Sequence, residues 1–352
     1  MTLRSLTRTL PTKNPLTDPT PLDGVDLILA DLDGVIYTGR NAIPHAVESI
    51  NAAQESIRVG YITNNASRTP ASVAEHLSGL GLTVAPEDVV TSPQAAVKLL
   101  AGLVPAGSLI LVVGGAGLLD VVRAAGFTTT DSAEDKPAAV IQGFAPEVGW
   151  KQLAEAAFAL AQDADGNRIP WVATNTDWTI PQERGIAPGN GTLVSAVHTA
   201  AGILPVVAGK PEVAIFDEAK KRFGASSPVM IGDRLDTDIL GANRAGIPSI
   251  MVLTGIDGAR QVIAAEPDQR PHFLLEDLRG LTEPYPQILA GVDRDGSVVT
   301  KVGDAVVRRR ENTIVIEDAG DSRINLLRAG AAAVWTSGIA IYALEVPAEL
   351  YS

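Results

Sequence analysis

Short apolar runs alternate with amphipathic stretches from Val25 to about Leu281. Pro opens several of the amphipathic stretches, as expected of a first helical turn, where its missing N–H has no partner to lose. This alternation predicts an α/β fold in which a Rossmann-like parallel sheet is covered by helices on both faces. The predicted strands are Val25–Ala30, Arg58–Thr63, Ser108–Val113, Ala138–Gln142, Ile169–Thr174, Leu204–Ala208, Pro228–Gly232 and Ser249–Leu253. The predicted helices are Pro44–Glu55, Pro70–Gly79, Pro93–Leu103, Trp150–Gln162, Gly191–Ala201, Pro211–Phe223, Asp236–Ala245 and Gly258–Ala264.

The spacing of these elements predicts a core with an insertion. Two groups of polar motifs, described below, are separated by residues 93–203, so we expect a core built from residues 23–92 and 204–281 and an α/β cap domain inserted at 93–203. Beyond the core the pattern changes to new apolar runs and an Ala-rich stretch, which predicts a small C-terminal α/β domain over residues 282–352.

Composition narrows the functional classes. The 352 residues include 28 Lys and Arg against 41 Asp and Glu, a formal charge of −13 that disfavours nucleic acid and anionic membranes as partners. The sequence contains no run of about 18 apolar residues, the length that could span a bilayer. Residues 1–22 are rich in Thr, Pro and Leu and lack the apolar segment of a secretory signal, so we predict a flexible tail and a cytoplasmic protein. The absence of Cys excludes disulfides and thiolate chemistry.

Two carboxylates follow the first predicted strand directly. Asp31 and Asp33 flank Leu32 at the carboxyl end of a buried strand, where open parallel sheets bind their ligands. Crowded carboxylates repel each other, so the pair calls for a cation, a shared proton or both. A solvated Asp-Gly turn is the alternative interpretation of this motif alone.

Three further motifs supply complementary groups. They are Thr63-Asn64-Asn65, Gly209-Lys210-Pro211 and Gly232-Asp233-Arg234-Leu235-Asp236-Thr237-Asp238. The first offers a hydroxyl and loop amides to phosphate oxygens, the second an ammonium at the start of a predicted helix, and the third more carboxylates. Each alone has a structural alternative, a helix cap or a solvated lysine, and for Asp236 we expect an N-cap. Together with the Asp31 and Asp33 motif, these three motifs make four in a fixed order, which favours a single ligand site formed by all of them.

In this order the motifs resemble those of haloacid dehalogenase superfamily phosphatases. The resemblance covers about residues 23–281 and is strongest to the branch with a large α/β cap inserted between the second and third motifs. That branch includes p-nitrophenyl phosphatases, phosphoglycolate phosphatases and pyridoxal phosphate phosphatases. The resemblance implies a Mg²⁺ cofactor and hydrolysis of a small-molecule phosphate ester through an aspartyl-phosphate.

The resemblance also implies roles for individual residues. Asp31 is expected to be the nucleophile and Asp33 the general acid and base. Mg²⁺ is expected on Asp31, Asp233 and the main-chain carbonyl of Asp33, with Asp238 orienting Lys210 and metal-bound water. The residues expected to bind phosphate or substrate are Thr63, Asn64, Asn65 and Lys210.

Substrate selection is expected from the cap. The segment that matches the family's cap loop contains the predicted specificity residues Asn175, Asp177, Trp178 and Arg184. Where pyridoxal phosphate phosphatases place a His, this chain has Ile180. We therefore expect a small hydroxylated phosphate, glycerol 3-phosphate first, with phosphoglycolate or a sugar phosphate as alternatives.

Other functional classes stay open. A receiver-like signalling domain also combines a phosphorylatable Asp with Thr and Lys, but it preserves its phosphoryl group and has no use for an acid and base at Asp33.

The cluster Gly114–Gly117 lacks the third Gly of a dinucleotide fingerprint and predicts a tight turn. One interpretation of the C-terminal domain is an acetyltransferase-like remnant, and we predict that this domain has a structural or interaction role. Any homo-oligomer contact is expected through this domain or through the cap.

Overall fold

The computed structural model describes residues 18–182 and 184–351. These residues form two compact units. The first unit takes the described residues among 1–38, 42–57 and 227–352, and the second takes 39–41 and 58–226. Each unit contains parallel strands joined through helices, so the predicted α/β fold class is confirmed.

Four parallel strands lie side by side in the first unit. Their order is Phe273–Leu275, Ser249–Val252, Pro228–Gly232 and Leu27–Ala30. The two strands Leu27–Ala30 and Pro228–Gly232 are buried at every position, which fits their continuous apolar sequences. The helices beside them are Ala46–Gln54, Leu240–Arg244 and Ala259–Ile263. The carboxyl ends of these strands therefore face one edge of the sheet.

The helix predicted at Asp236–Ala245 begins differently. Residues Leu235–Ile239 form a wider π-helical turn, and only Leu240–Arg244 is α-helical. The N–H groups of Asp238 and Ile239 both donate to the carbonyl of Arg234, at 3.1 Å each. The N-cap position is held by Arg234, so the capping role predicted for Asp236 is wrong. Its carboxylate accepts instead from the Arg234 guanidinium, at 3.0 and 2.9 Å.

The C-terminal residues form an antiparallel sheet and one long helix. The strands of this sheet, in their order across it, are Ile288–Val292, Val298–Val302, Ala305–Arg310 and Thr313–Asp318. The helix is Arg323–Trp335. This helix is rich in Ala and buried over most of its surface. Its side chains join one continuous apolar cluster with residues of the core such as Ile239, Met251 and Val262. The described C-terminal residues, 282–351, thus share a hydrophobic core with the sheet of this unit, instead of packing alone.

The end of the predicted tail is packed as well. Pro19 accepts a hydrogen bond from the main chain of Tyr285 at 2.9 Å, and Leu22 is buried. The described part of the predicted tail, residues 18–22, is therefore held in place. The remainder, residues 1–17, lies outside the described residues.

The second unit contains a parallel sheet of five strands. Their order is Val206–Val207, Trp171–Ala173, Ala139–Gln142, Leu109–Val113 and Thr128–Thr130. The sheet of the predicted cap therefore includes Val206–Val207, which lie in the segment 204–281 that the sequence pattern assigns to the core. A short pair of parallel strands, Arg58–Thr63 and Val89–Thr91, also belongs to this unit.

The second unit contains six α-helices among the described residues, several of them close to the predicted bounds. They are Pro70–Gly79, Ser92–Leu103, Ala116–Ala124, Trp150–Ala159, Asn190–Ala201 and Val213–Phe223. Thr69 caps the first by accepting from Ser72 N–H at 3.2 Å, and Gly202 and Gly224 end two others in the left-handed conformation. The cluster Gly114–Gly117 joins a strand to a helix as a tight turn, as predicted. An antiparallel hairpin that the sequence pattern did not reveal joins Thr179–Gln182 to Gly185–Pro188.

Arg328 links the C-terminal helix to the parallel sheet. The residue is 9% exposed, and its guanidinium donates two hydrogen bonds to the Leu274 carbonyl at 2.9 and 2.7 Å and lies 4.2 Å from the centre of the Tyr285 ring. We expect Arg328→Ala to lower the free energy of unfolding by about 3 kcal/mol, because it leaves a buried carbonyl without its charged donor. Chemical denaturation measures this change. Arg323→Ala, at an exposed position of the same helix, is the control, and an equal effect of both substitutions would contradict the assignment.

Candidate active site

Three carboxylates meet at the edge of the parallel strands in the first unit. Asp31 follows Leu27–Ala30 and Asp233 follows Pro228–Gly232, and these two strands are neighbours in parallel register. One carboxylate oxygen from each of Asp31, Asp233 and Asp238 lies within 4.8 Å of the others. All three residues are buried, Asp233 and Asp238 completely. The predicted gathering of Asp31 and Asp233 is thus observed, and Asp238 belongs to the same cluster.

The π-helical turn delivers Asp238 to this cluster. Its Oδ2 accepts from the main-chain N–H groups of Asp233 and Arg234, at 3.2 and 3.1 Å. This arrangement folds the side chain back over the end of the strand Pro228–Gly232. Single π-helical turns of this kind occur frequently at functional positions.

Glycines make room for the carboxylates. A Cβ atom built on Gly34 or on Gly255 would overlap with the carboxylate of Asp233, and one on Gly232 would overlap with Asp238. Gly34 also has φ +87°, a conformation that strains other residues. Backbone therefore encloses Asp233 from two sides without any intervening side chain.

The end of the strand Ser249–Val252, which the sequence analysis did not single out, completes the enclosure. Ile256 N–H donates to Asp233 Oδ2 at 2.8 Å, and Thr254 Oγ1 donates to the Gly34 carbonyl at 2.7 Å. Asp257 accepts from Leu235 N–H at 2.7 Å. Burial raises the pKa of the Asp257 carboxyl, and the nearby charges of Asp236 and Asp238 act in the same direction. The sequence Thr254-Gly255 directly after the apolar run Ser249–Leu253 is the signal that could have identified this loop.

The cluster has the chemistry of a divalent cation site. Buried carboxylates at this separation repel each other strongly unless a cation lies among them. Hard carboxylate oxygens are the ligands that Mg²⁺ prefers, and no thiolate or imidazole belongs to the group. Asp33, in contrast, is exposed and its carboxylate is not part of the cluster. That separation suits a residue that exchanges protons instead of binding metal through its side chain.

The predicted phosphate-binding residues lie in the second unit. Thr63 ends the strand Arg58–Thr63 and is buried, with Oγ1 accepting from Asn65 N–H at 3.1 Å. Lys210 is 3% exposed, and its Nζ lies 3.5 Å from the carbonyl of Ile62. The helix predicted to start at Pro211 starts at Val213, so the ammonium comes from a turn that precedes the helix.

The side chains of Asn64 and Asn65 bind protein atoms. Asn64 Oδ1 accepts from Lys210 N–H at 2.8 Å, and its Nδ2 lies 3.0 Å from both the Lys210 carbonyl and Asp177 Oδ1. Asn65 Oδ1 accepts from the N–H and hydroxyl of Ser67, at 2.9 and 2.8 Å. An amide side chain offers the same groups to a phosphate and to a backbone, which is why the sequence could not separate the two roles.

The four predicted cap residues divide into two pairs. Asn175 is buried and donates to the Asn64 carbonyl at 2.7 Å, and Asp177 accepts from Asn64. Trp178 is 65% exposed, and Arg184 is exposed in the turn of the hairpin Thr179–Gln182/Gly185–Pro188. The first pair anchors the loop, and the second pair is accessible to a ligand.

Comparison with known proteins identifies the family of the chain. Residues 28–128 match the haloacid dehalogenase-like hydrolase family, and residues 207–281 match the HAD-hydrolase-like family. A D-glycerol 3-phosphate phosphatase of Mycobacterium tuberculosis is 43% identical over 310 residues, which cover 88% of this chain and 86% of that protein. The chain belongs to the haloacid dehalogenase superfamily of hydrolases. The predicted phosphatase class is thereby confirmed.

Two further relatives extend the comparison. An acid sugar phosphatase of Staphylococcus haemolyticus is 33% identical over 253 residues, which cover 71% of this chain and 92% of that protein. The crystal structure of a glycerol phosphate phosphatase from Mycobacterium tuberculosis, in complex with magnesium, has a TM-score of 0.78 at 41% identity, over 91% of this chain and 93% of that one. Among the described residues, no helix is long and apolar enough to cross a membrane.

The glycines around Asp233 give a test of the cation site. We expect Gly255→Ala to weaken Mg²⁺ binding at least about tenfold, because the added methyl group would displace the Asp233 carboxylate. Isothermal titration with Mg²⁺ measures the affinity. Gly258→Ala is the matched control, since its Cβ would approach nothing closer than Gln261 Oε1 at 3.8 Å. Unchanged Mg²⁺ affinity in a folded Gly255→Ala protein would contradict the site.

Proposed function

We propose that this protein is a Mg²⁺-dependent phosphomonoester hydrolase that acts on glycerol 3-phosphate or a closely similar small phosphate. The buried cluster of Asp31, Asp233 and Asp238 is the observation that carries the proposal. A magnesium complex of a structural relative supports the choice of cation. Bound there, Mg²⁺ would neutralise the carboxylates and withdraw charge from the phosphoryl group.

The nucleophile is Asp31. Its carboxylate oxygen attacks phosphorus, the P–O bond to the alcohol breaks, and Asp33 donates its proton to the departing alkoxide. Asp33 then removes a proton from water as the water oxygen attacks phosphorus. The P–O bond to Asp31 breaks, which releases inorganic phosphate and restores both carboxyl groups.

Thr63 and Lys210 bind the remaining phosphoryl oxygens in this proposal. The ammonium of Lys210 balances the charge of the phosphate dianion, and the Thr63 hydroxyl donates a hydrogen bond to it. Both side chains are at least nine-tenths buried, which limits competition from water. Burial strengthens the interaction of the lysine with an anion relative to an exposed lysine.

The choice of alcohol depends on other residues. The core motifs contact only the phosphoryl group, so Trp178 and Arg184 are the proposed specificity residues of the accessible hairpin region. The relative with 43% identity supports glycerol 3-phosphate, and the acid sugar phosphatase supports a sugar phosphate as the alternative. A receiver-like signalling role is not proposed, because the relatives compared above are named as phosphatases and not as signalling domains.

The substrate proposal is tested by comparing phosphate esters. With Mg²⁺ present, we expect kcat/KM for glycerol 3-phosphate to exceed that for phosphoglycolate, glucose 6-phosphate and pyridoxal 5′-phosphate by at least about tenfold, equivalent to about 1.4 kcal/mol in the barrier. Release of inorganic phosphate measures the rates. A higher value for another ester would overturn the substrate assignment, and no hydrolysis of any ester would overturn the proposed function.

The nucleophile is tested by Asp31→Asn. We expect turnover to fall at least about 1,000-fold, because a carboxamide cannot form the acyl-phosphate. Asp120→Asn, on the exposed face of the helix Ala116–Ala124, should retain the parent activity. Turnover of Asp31→Asn within about tenfold of the parent would mean a barrier change of only about 1.4 kcal/mol and would exclude Asp31 as the nucleophile.

A further inference from the structure

We propose that Asn64 is a positioning residue that fixes the main chain of Lys210 and ties it to the loop of residues 174–178 through Asp177. This inference rests on the proposed function for the role of the lysine. It also assigns to Asn64 and Asp177 a role different from the ligand and specificity roles that their sequence motifs suggested.

The Asn64 side chain uses both of its polar atoms on two other segments. Oδ1 accepts from Lys210 N–H at 2.8 Å, while Nδ2 lies 3.0 Å from the carbonyl of the same residue. This pair of hydrogen bonds resembles one rung of a β-ladder, with a side chain in place of a neighbouring strand. It fixes the orientation of the peptide groups on both sides of the Lys210 Cα.

The second hydrogen of Nδ2 joins a third segment to the same point. Asp177 Oδ1 lies 3.0 Å from Asn64 Nδ2. The main chain of Asn64 is tied to the same loop, because its carbonyl accepts from Asn175 Nδ2 at 2.7 Å as well as from Ser92 Oγ at 2.8 Å. Displacement of the loop of residues 174–178 would therefore pull on the residue that holds the lysine.

Close backbone packing makes this arrangement specific. A Cβ atom at Gly209 would lie 2.5 Å from Asn64 Oδ1 and 2.6 Å from the carbonyl of Thr174. Gly209 N–H donates to that same carbonyl at 2.8 Å. Glycine at this position lets the turn before Lys210 approach both the strand end and the loop.

The donor on Asn64 has a defined chemical requirement. It faces two oxygens, one of them on a carboxylate, so an amide satisfies both, whereas an Asp at position 64 would direct a negative oxygen at each. Asp177 is the partner that can be changed in compensation. An Asn at 177 could donate to an Asp at 64 and restore one of the two hydrogen bonds.

This exchange of acid and amide provides the test. We expect Asn64→Asp to lower kcat/KM at least about 100-fold, and Asp177→Asn alone to lower it less than about fivefold. The double variant Asn64→Asp/Asp177→Asn should recover at least about tenfold relative to Asn64→Asp, a coupling of about 1.4 kcal/mol. Asn312→Asp, an exposed substitution in the turn between the strands Ala305–Arg310 and Thr313–Asp318, controls for the change of charge.

Hydrogen–deuterium exchange tests the same link without reference to activity. In Asn64→Asp, the peptides that contain Lys210 and residues 174–178 should both exchange faster, and both should regain protection in the double variant. Peptides from the cap strand Leu109–Val113 should be unchanged and serve as an internal reference.

Two results would overturn the inference. One is a double variant no more active and no better protected than Asn64→Asp, which would show that the two positions are not coupled. The other is an Asn64→Asp protein with parent protection at Lys210. If the parent hydrolyses no ester, the proposed function fails alone, because the exchange measurement still decides whether Asn64 positions Lys210.

Discussion

The mutual repulsion of three buried carboxylates is the constraint on which the site depends. Asp31, Asp233 and Asp238 bring oxygens within 4.8 Å of one another in a place that water scarcely reaches. Such a cluster is costly unless a cation compensates it, so binding of a divalent ion and organisation of the site are coupled. Backbone N–H groups that donate to the carboxylates offset part of this cost, and glycines leave room for the carboxylates.

A different principle organises the lysine. Lys210 comes from a turn, not from a helix end, and the turn is held by side-chain hydrogen bonds to the end of the strand Arg58–Thr63. Those bonds also reach the loop of residues 174–178, which leads into the exposed hairpin. In the proposed function, phosphate binding by Lys210 and recognition of the alcohol by the hairpin would therefore depend on the same few hydrogen bonds.

The strand ends could be predicted because each buried strand is a short apolar run and the polar motif follows it immediately. The roles of Asp31 and Asp33 came from the family resemblance, whereas the gathering of Asp31 and Asp233 followed from sheet geometry. The π-helical turn at Leu235–Ile239 could not be predicted, since it arises from hydrogen bonds to Asp238 that no local pattern encodes. The role of Asn64 was hidden for a similar reason: its partners are more than 100 positions away in sequence, at 177 and 210. The Ala-rich stretch of the C-terminal domain forms the helix Arg323–Trp335, but the core that this helix shares with the parallel sheet depends on long-range packing.

The most direct test of the central claim is a crystal structure of the protein grown with Mn²⁺ in place of Mg²⁺ and with beryllium fluoride as a phosphoryl mimic. The account predicts one anomalous peak, with carboxylate oxygens of Asp31 and Asp233 at a coordination distance of about 2.2 Å. It also predicts beryllium bonded to a carboxylate oxygen of Asp31. A metal bound away from this cluster, or beryllium fluoride attached to another residue, would contradict it.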